Sequence, residues 1–186
     1  QMAPRGGPKF ILNLGQYLCA VGHEVTIMVE TPGAWWSELA ASGLCGSCLP
    51  RNPGVSFVRQ TQQVAAAWNR QCFDALVINV SRPNRLALYA SHLVTDKTAV
   101  LFVLHGDWAD VYEGTGRHLQ AWNCAVGVSP KVYAGAVARF PHKPVFPITN
   151  GVVVPPADQC QARLGWERCL KGGERRVIRT RTERRD

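Results

Sequence analysis

Apolar residues recur at helical spacing along the first part of the chain, so one face of this segment must be buried. The pattern predicts a helix over residues 9–20. Pro8 suits the start of this helix, where its missing N–H costs nothing, and Gly22 stands where a left-handed residue commonly ends a helix. The β-branched residues that follow predict a strand over 24–29. The apolar positions of the helix are Phe10, Leu14, Leu18 and Val21.

Short apolar runs alternate with helical or loop segments along the rest of the chain, which predicts an α/β fold with a doubly wound parallel sheet. The runs over 75–80 and 100–104 are continuously apolar, as is typical of central parallel strands that are covered on both faces. We expect less regular structure across 107–122. The predicted strands lie near 24–29, 55–58, 75–80, 99–104, 124–128 and 145–148, and the predicted helices near 9–20, 34–42, 62–71, 84–93 and 130–139.

A βαβ unit begins with a strand, and a typical strand has about 5–6 residues. Only Gln1 to Arg5 stand before Gly6, where the glycine-rich approach to the first helix starts. We therefore expect the sequence to begin after the first strand of its sheet.

Length and composition fit one globular domain, because 186 residues of which 46% are hydrophobic can build a sizeable core. No apolar run approaches the roughly 18–20 residues that cross a bilayer, and the chain does not open with the charged and apolar regions of a signal peptide. We expect a cytoplasmic protein, and contact with the inner face of the membrane stays open as an alternative.

The seven cysteines are an odd number and are mostly scattered singly in apolar stretches, which is typical of reduced core cysteines. Only Cys45 and Cys48 have the spacing of metal ligands. A zinc site needs about four ligands, and the sequence holds no second pair. A Gly/Ser turn is the favoured interpretation of this segment, and we expect no metal.

The net charge of +8 suggests anionic partners, and half of it comes from residues 171–186. Aromatic residues are not interleaved with the charges of this basic tail. Because proteins that bind single-stranded nucleic acid stack bases on aromatic side chains, we do not expect nucleic acid as a partner.

Ligands of open α/β sheets bind outside the carboxyl ends of the strands. This rule selects four groups of residues that could line one crevice. They are Gly6-Gly7, residues 79–82 (Asn-Val-Ser-Arg), residues 105–108 (His-Gly-Asp-Trp) and residues 129–131 (Ser-Pro-Lys).

Six segments, in this order, resemble the N-terminal domain of the GT-B glycosyltransferases, in particular the retaining, family 4-like enzymes of the glycosyl transferases group 1 type. The resemblance covers roughly residues 6–156. It implies a Rossmann-like sheet that forms the N-terminal half of a GT-B fold. The segments are Gly6-Gly7, 22–26 (Gly-His-Glu-Val-Thr), 73–77 (Phe-Asp-Ala-Leu-Val), 104–106 (Leu-His-Gly), 126–129 (Val-Gly-Val-Ser) and 148–152 (Ile-Thr-Asn-Gly-Val).

The resemblance also implies roles for single residues. His105 would contact the transferred sugar and steady charge near its anomeric carbon, without acting as a nucleophile. The donor or acceptor would be bound by Gly6, Gly7, Asp107 and Ser129, although a solvated loop face is the plainer interpretation of Asp107. Asn150-Gly151 would connect this domain to a second one. The implied donor is a nucleotide diphosphate sugar, the acceptor is a glycan, lipid or small molecule, and no metal or other cofactor is implied.

From Glu167 onwards the resemblance ends. We therefore expect a glycosyltransferase N-terminal domain over 1–156 and a linker with a basic tail over 157–186, truncated before the second domain and inactive alone. Two alternatives remain. The first is a non-catalytic module that binds a carbohydrate or nucleotide, and the second is a protein that binds anions or nucleic acid through its basic tail.

Overall fold

The computed structural model describes residues 6–31, 33, 36–49, 52, 54–80 and 85–149, with the backbone alone for Gly6 to Pro8. All of them belong to the first of two units of the chain, Gln1–Asn150, whereas the second unit, Gly151–Asp186, lies outside the described residues. The basic tail, the predicted connector Asn150-Gly151 and the predicted domain boundary at 156 therefore lie outside the described residues too.

Helices and strands alternate along the described part of the chain. Its α-helices are α1 (Gly6–Ala20), α2 (Trp36–Ala41), α3 (Phe57–Gln71), α4 (Arg85–Ala90), α5 (Ala109–Arg117) and α6 (Pro130–Arg139), and short 3₁₀ helices lie at Ser91–Leu93 and Leu119–Ala121. Its strands are β1 (Thr26–Val29), β2 (Cys45–Cys48), β3 (Ala75–Val80), β4 (Ala99–Leu104), β5 (Cys124–Gly127) and β6 (Val145–Pro147).

The strands form two sheets in which every pairing is parallel. β1 pairs with β2, and the second sheet has the order β3-β4-β5-β6. The predicted α/β fold with parallel strands is therefore confirmed. β1 and β3 each lie at an edge of their sheet, and the expectation of a strand ahead of α1 stays a prediction.

Helices cover both faces of the strands. Phe102 and Val103 are adjacent on β4, so their side chains point to opposite faces of the sheet. Val103 lies in a small cluster that packs against Phe10 of α1, whereas Phe102 lies in the largest core cluster together with Trp68 of α3. Leu12 of α1 also packs beside the first sheet, in a cluster with Ile27, Val29, Leu39 and Leu44.

The local end of α1 is as predicted. Gly22 has a φ of +94°, and the N–H groups of Gly22 and His23 donate to the carbonyl oxygens of Cys19 and Leu18, each at 3.0 Å. These bonds satisfy carbonyl groups that the end of a helix would leave unpaired. No helix in the described ranges is long and apolar enough to cross a membrane.

Three of the predicted elements are wrong. The strand expected near 55–58 is the start of α3, where the Ser56 hydroxyl caps the helix by accepting from Arg59 N at 3.4 Å. The strand lies instead at β2, where we expected a Gly/Ser turn around Cys45 and Cys48. The stretch expected to be less regular contains α5.

Candidate functional site

The register of the second sheet brings the ends of its strands together. Leu104, the last residue of β4, lies between Val80 of β3 and Gly127 of β5. The N–H of Val128 then donates to the carbonyl oxygen of Leu104 at 3.3 Å. His105 and Ser129, which follow these strands, are therefore brought to the same carboxyl edge.

His105 is half-buried at this edge and meets the first helix. Its ring packs edge-on against Phe10 of α1, with 5.2 Å between the ring centroids. The Nε2 atom of His105 is buried and has no hydrogen-bond partner among the described residues. Burial lowers the pKa of His105, so the imidazole is neutral near pH 7, with one donor and one acceptor nitrogen.

Asp107 is held by two partners from different elements. Its Oδ2 lies 2.8 Å from Nζ of Lys131, and its Oδ1 accepts from the Tyr112 hydroxyl at 2.9 Å. The hydrogen bonds from Lys131 and Tyr112 lower the pKa of the Asp107 carboxyl. Asp107 is therefore an ionised, partly exposed carboxylate with a fixed orientation, and its remaining lone pairs can accept hydrogen bonds that hydroxyl groups donate.

Tyr112 forms the buried support of this carboxylate. Its hydroxyl also lies 3.2 Å from the carbonyl oxygen of Val132, and the Arg139 guanidinium stacks over its ring at 4.3 Å. Burial, followed by the bond to Asp107, raises the pKa of Tyr112 to about 12. The hydroxyl therefore stays protonated and donates.

Two glycines allow α6 to approach the site. A β-carbon at Gly127 would lie 2.6 Å from the Cα and 2.7 Å from the backbone N of Tyr133, and one at Gly135 would lie 2.9 Å from Cζ of Tyr112. These separations are shorter than atoms of ordinary proteins adopt. Glycine at both positions lets the N-terminus of α6, with Lys131, lie against the edge of the sheet.

Ser129 is the N-cap of α6. Its hydroxyl oxygen accepts from Val132 N at 3.2 Å, and its backbone is extended. This contact explains the serine structurally, because an N-cap satisfies one N–H that the first turn of a helix leaves unpaired. The predicted binding role of Ser129 stays a prediction.

Trp108 stands in the segment 105–108 that the strand-end rule selects as a possible lining of the crevice. From the sequence alone, a tryptophan here could pack in the core or stack on a sugar or a partner. Trp68 and Trp122 are buried, whereas Trp108 is 61% exposed. A β-carbon on Gly106 would overlap its six-membered ring, so the indole lies directly on this glycine. In the sequence, this tryptophan stands between the end of β4 and the start of α5, in a segment that was already a candidate site.

The other predicted groups are only partly described. Gly6 and Gly7 form the first turn of α1 instead of a loop before it, one turn ahead of the Phe10 that contacts His105. Residues 81–84 lie outside the described residues. Cys45 and Cys48 stand three positions apart on β2, so their side chains point to opposite faces of the strand.

No family model matches the sequence, and no curated protein matches it. Among solved structures, the chain resembles a crystal structure of a glycosyltransferase from Rickettsia africae ESF-5, with a TM-score of 0.64 at 17% sequence identity. The match covers 90% of this chain and 47% of that one, so the chain spans about half the length of the solved structure. Together with the parallel sheets, this likeness shows that the chain has an α/β, glycosyltransferase-like fold.

Proposed function

We propose that this chain forms the acceptor-side, N-terminal domain of a retaining GT-B glycosyltransferase that uses a nucleotide diphosphate sugar. In the proposed reaction the bond between the anomeric carbon and the diphosphate breaks, and its electron pair leaves with the diphosphate. The acceptor oxygen bonds to the anomeric carbon, and its proton passes to the departing diphosphate. A site for this reaction must hold both substrates and stabilise the charge that develops.

The observation that carries the proposal is that His105 and Asp107 stand two residues apart, directly after the carboxyl end of β4. Nε2 of His105 is buried and has no described partner, so a ligand that reaches it gains a hydrogen bond without displacing one from the protein. A neutral imidazole suits a sugar hydroxyl, which can donate and accept. Asp107 offers a fixed carboxylate two residues further along the chain.

The start of α1 also supports the proposal. The first N–H groups of a helix lack internal partners and favour negative charge, as a diphosphate carries. α1 has 15 residues and begins at Gly6, and its Phe10 touches the ring of His105. Gly6 and Gly7 would let a diphosphate approach the backbone closely.

Nuclear magnetic resonance on the 186-residue chain with labelled histidine tests this proposal. The chain is titrated with a panel of nucleotide sugars that includes UDP-glucose and GDP-mannose. We expect at least one of them to shift the imidazole signals of His105, and the matching nucleotide without its sugar to shift them less. His105→Ala should weaken the binding by about tenfold, equal to about 1.4 kcal/mol. The exposed His142 gives the matched control His142→Ala.

Two outcomes would contradict the proposal. The first is a His105 signal that none of the nucleotide sugars moves, and the second is binding that survives His105→Ala unchanged. We expect no sugar transfer by the 186-residue chain alone, because a cleft that excludes water needs a second wall. Measurable transfer by this chain would refute that expectation.

A further inference from the structure

Trp108 is an exposed aromatic residue at the candidate site. The indole is 61% exposed, whereas Trp68 and Trp122 are 5% and 2% exposed. Large aromatic side chains bury much apolar surface on folding and dominate core packing. Leaving one in water forgoes that stabilisation.

The backbone and the ring of Trp108 are both held in place, although the ring is exposed. Its carbonyl oxygen accepts from Val111 N at 3.0 Å and from Tyr112 N at 3.4 Å, which makes Trp108 the N-cap of α5. Its six-membered ring lies on Gly106, which is buried. The ring is therefore oriented before any ligand arrives, and a ligand does not have to order it.

The residue before Trp108 carries a polar group of fixed position. Asp107 precedes Trp108 and is ionised, and Lys131 lies 2.8 Å from its carboxylate. A pyranose has a face of C–H bonds, which packs on the negative face of an aromatic ring, and a rim of hydroxyls, which bonds to carboxylates and ammonium groups. Trp108 and its chain neighbour Asp107 offer these two kinds of contact.

We propose that Trp108 is a stacking platform for a pyranose ring of the acceptor, with Asp107 accepting hydrogen bonds from the hydroxyls of that ring. The assignment of the pyranose to the acceptor rests on the proposed function. A nucleobase is the competing occupant of an exposed indole. The paired Asp107 and Lys131 favour the pyranose, because they supply both an acceptor and donors for the hydroxyl groups that line its rim.

Fluorine NMR of the 186-residue chain labelled with 5-fluorotryptophan tests the platform. The chain has six tryptophans, and Trp108→Phe identifies the signal of Trp108. We expect methyl pyranosides and short glycans to shift this signal, and UMP, GMP and AMP to leave it in place. Trp108→Ala should weaken glycan binding by about tenfold, and Trp108→Phe should retain part of the affinity because it keeps an aromatic face.

Gly106→Ala gives a second test that keeps the indole. The added β-carbon would overlap the ring, so the platform should move and glycan binding should weaken. Gly114→Ala is the matched control, because a β-carbon at Gly114 meets no atom within 4 Å. Circular dichroism checks that each variant is folded, and the exposed position of Trp108 makes its replacement compatible with folding.

The results separate this inference from the proposed function. A Trp108 signal that only nucleotides shift, or that no pyranoside shifts, overturns the platform. If nucleotide sugars still shift His105 in that case, the proposed function stands without the platform. If pyranosides bind at Trp108 while no nucleotide sugar affects His105, the platform stands and the transferase proposal fails.

Discussion

Gly135→Ala tests the close approach of α6 to the side chains that orient the candidate site. Gly135 lies inside α6, and its added β-carbon would meet the Tyr112 hydroxyl, lie 2.9 Å from Tyr112 Cζ and lie 3.2 Å from Oδ1 of Asp107. Tyr112 cannot move away easily, because it is buried and its ring carries the stacked Arg139. The substitution should therefore strain the support of Asp107.

The expected change in the free energy of unfolding follows from two opposing effects. Alanine in place of glycine inside a helix stabilises it by about 1 kcal/mol. Overpacking a buried contact costs about 1–3 kcal/mol, so Gly135→Ala should lower the free energy of unfolding by about 1 kcal/mol. Gly114→Ala, inside α5 and with no atom within 4 Å of the new β-carbon, should raise it by about 1 kcal/mol.

Urea unfolding followed by circular dichroism measures both changes on the 186-residue chain. The difference between the two variants, about 2 kcal/mol, isolates the contact with Tyr112, because the helix-propensity gain cancels. Equal stabilisation by both alanines would refute the packing of α6 against Tyr112. A third variant, Gly135→Ala with Tyr112→Phe, should be less destabilised than the sum of the single changes, by about 1 kcal/mol.

Three further substitutions probe the backbone and the pH response. Gly127→Ala should lower the free energy of unfolding by about 3 kcal/mol, which is the upper end of the cost of overpacking. Its β-carbon meets the backbone of Tyr133, so no side-chain rotation relieves the contact. A loss well below about 1 kcal/mol in urea unfolding would contradict this. Gly22→Ala should cost about 1–2 kcal/mol because φ is +94° there, and an unchanged unfolding midpoint would argue against the left-handed cap. Burial lowers the pKa of His118, so the unfolded chain binds a proton at this residue more readily than the folded chain does. The free energy of unfolding should therefore fall as the pH drops below about 6.5, the ordinary histidine value. His118→Gln should reduce that loss, His142→Gln serves as the control, and an unaltered pH profile in His118→Gln would count against the buried imidazole.

The sequence predicted the elements correctly where the local pattern of residues fits one kind of element. β3 and β4 both lie at the predicted residues. β4 is interior to its sheet, as its continuous apolar run predicts. The same prediction is wrong for β3, which lies at the edge of that sheet in the described part of the chain. The start of α6 is as predicted because Ser129 and Pro130 cap and begin a helix by local chemistry.

The sequence did not predict β2, because its residues are typical of a turn. Gly46 has no side chain to favour a strand, yet a β-carbon there would lie 2.8 Å from Leu39 and 3.2 Å from Trp36 of α2. Contact with a helix therefore selects glycine inside this strand. Pairing with β1 supplies the hydrogen bonds that local propensity does not favour.

The sequence by itself determined the parallel α/β fold and the strand ends on which His105, Asp107 and Ser129 stand, because hydrophobic periodicity and helix caps act over a few neighbouring residues. Only the tertiary structure decided that Lys131 holds Asp107, that Nε2 of His105 is buried, and that Trp108 is exposed on Gly106. Each of these depends on how far a helix approaches the sheet or on which surface stays uncovered. Distances between elements remote in the chain set such features, and no local pattern of residues encodes them.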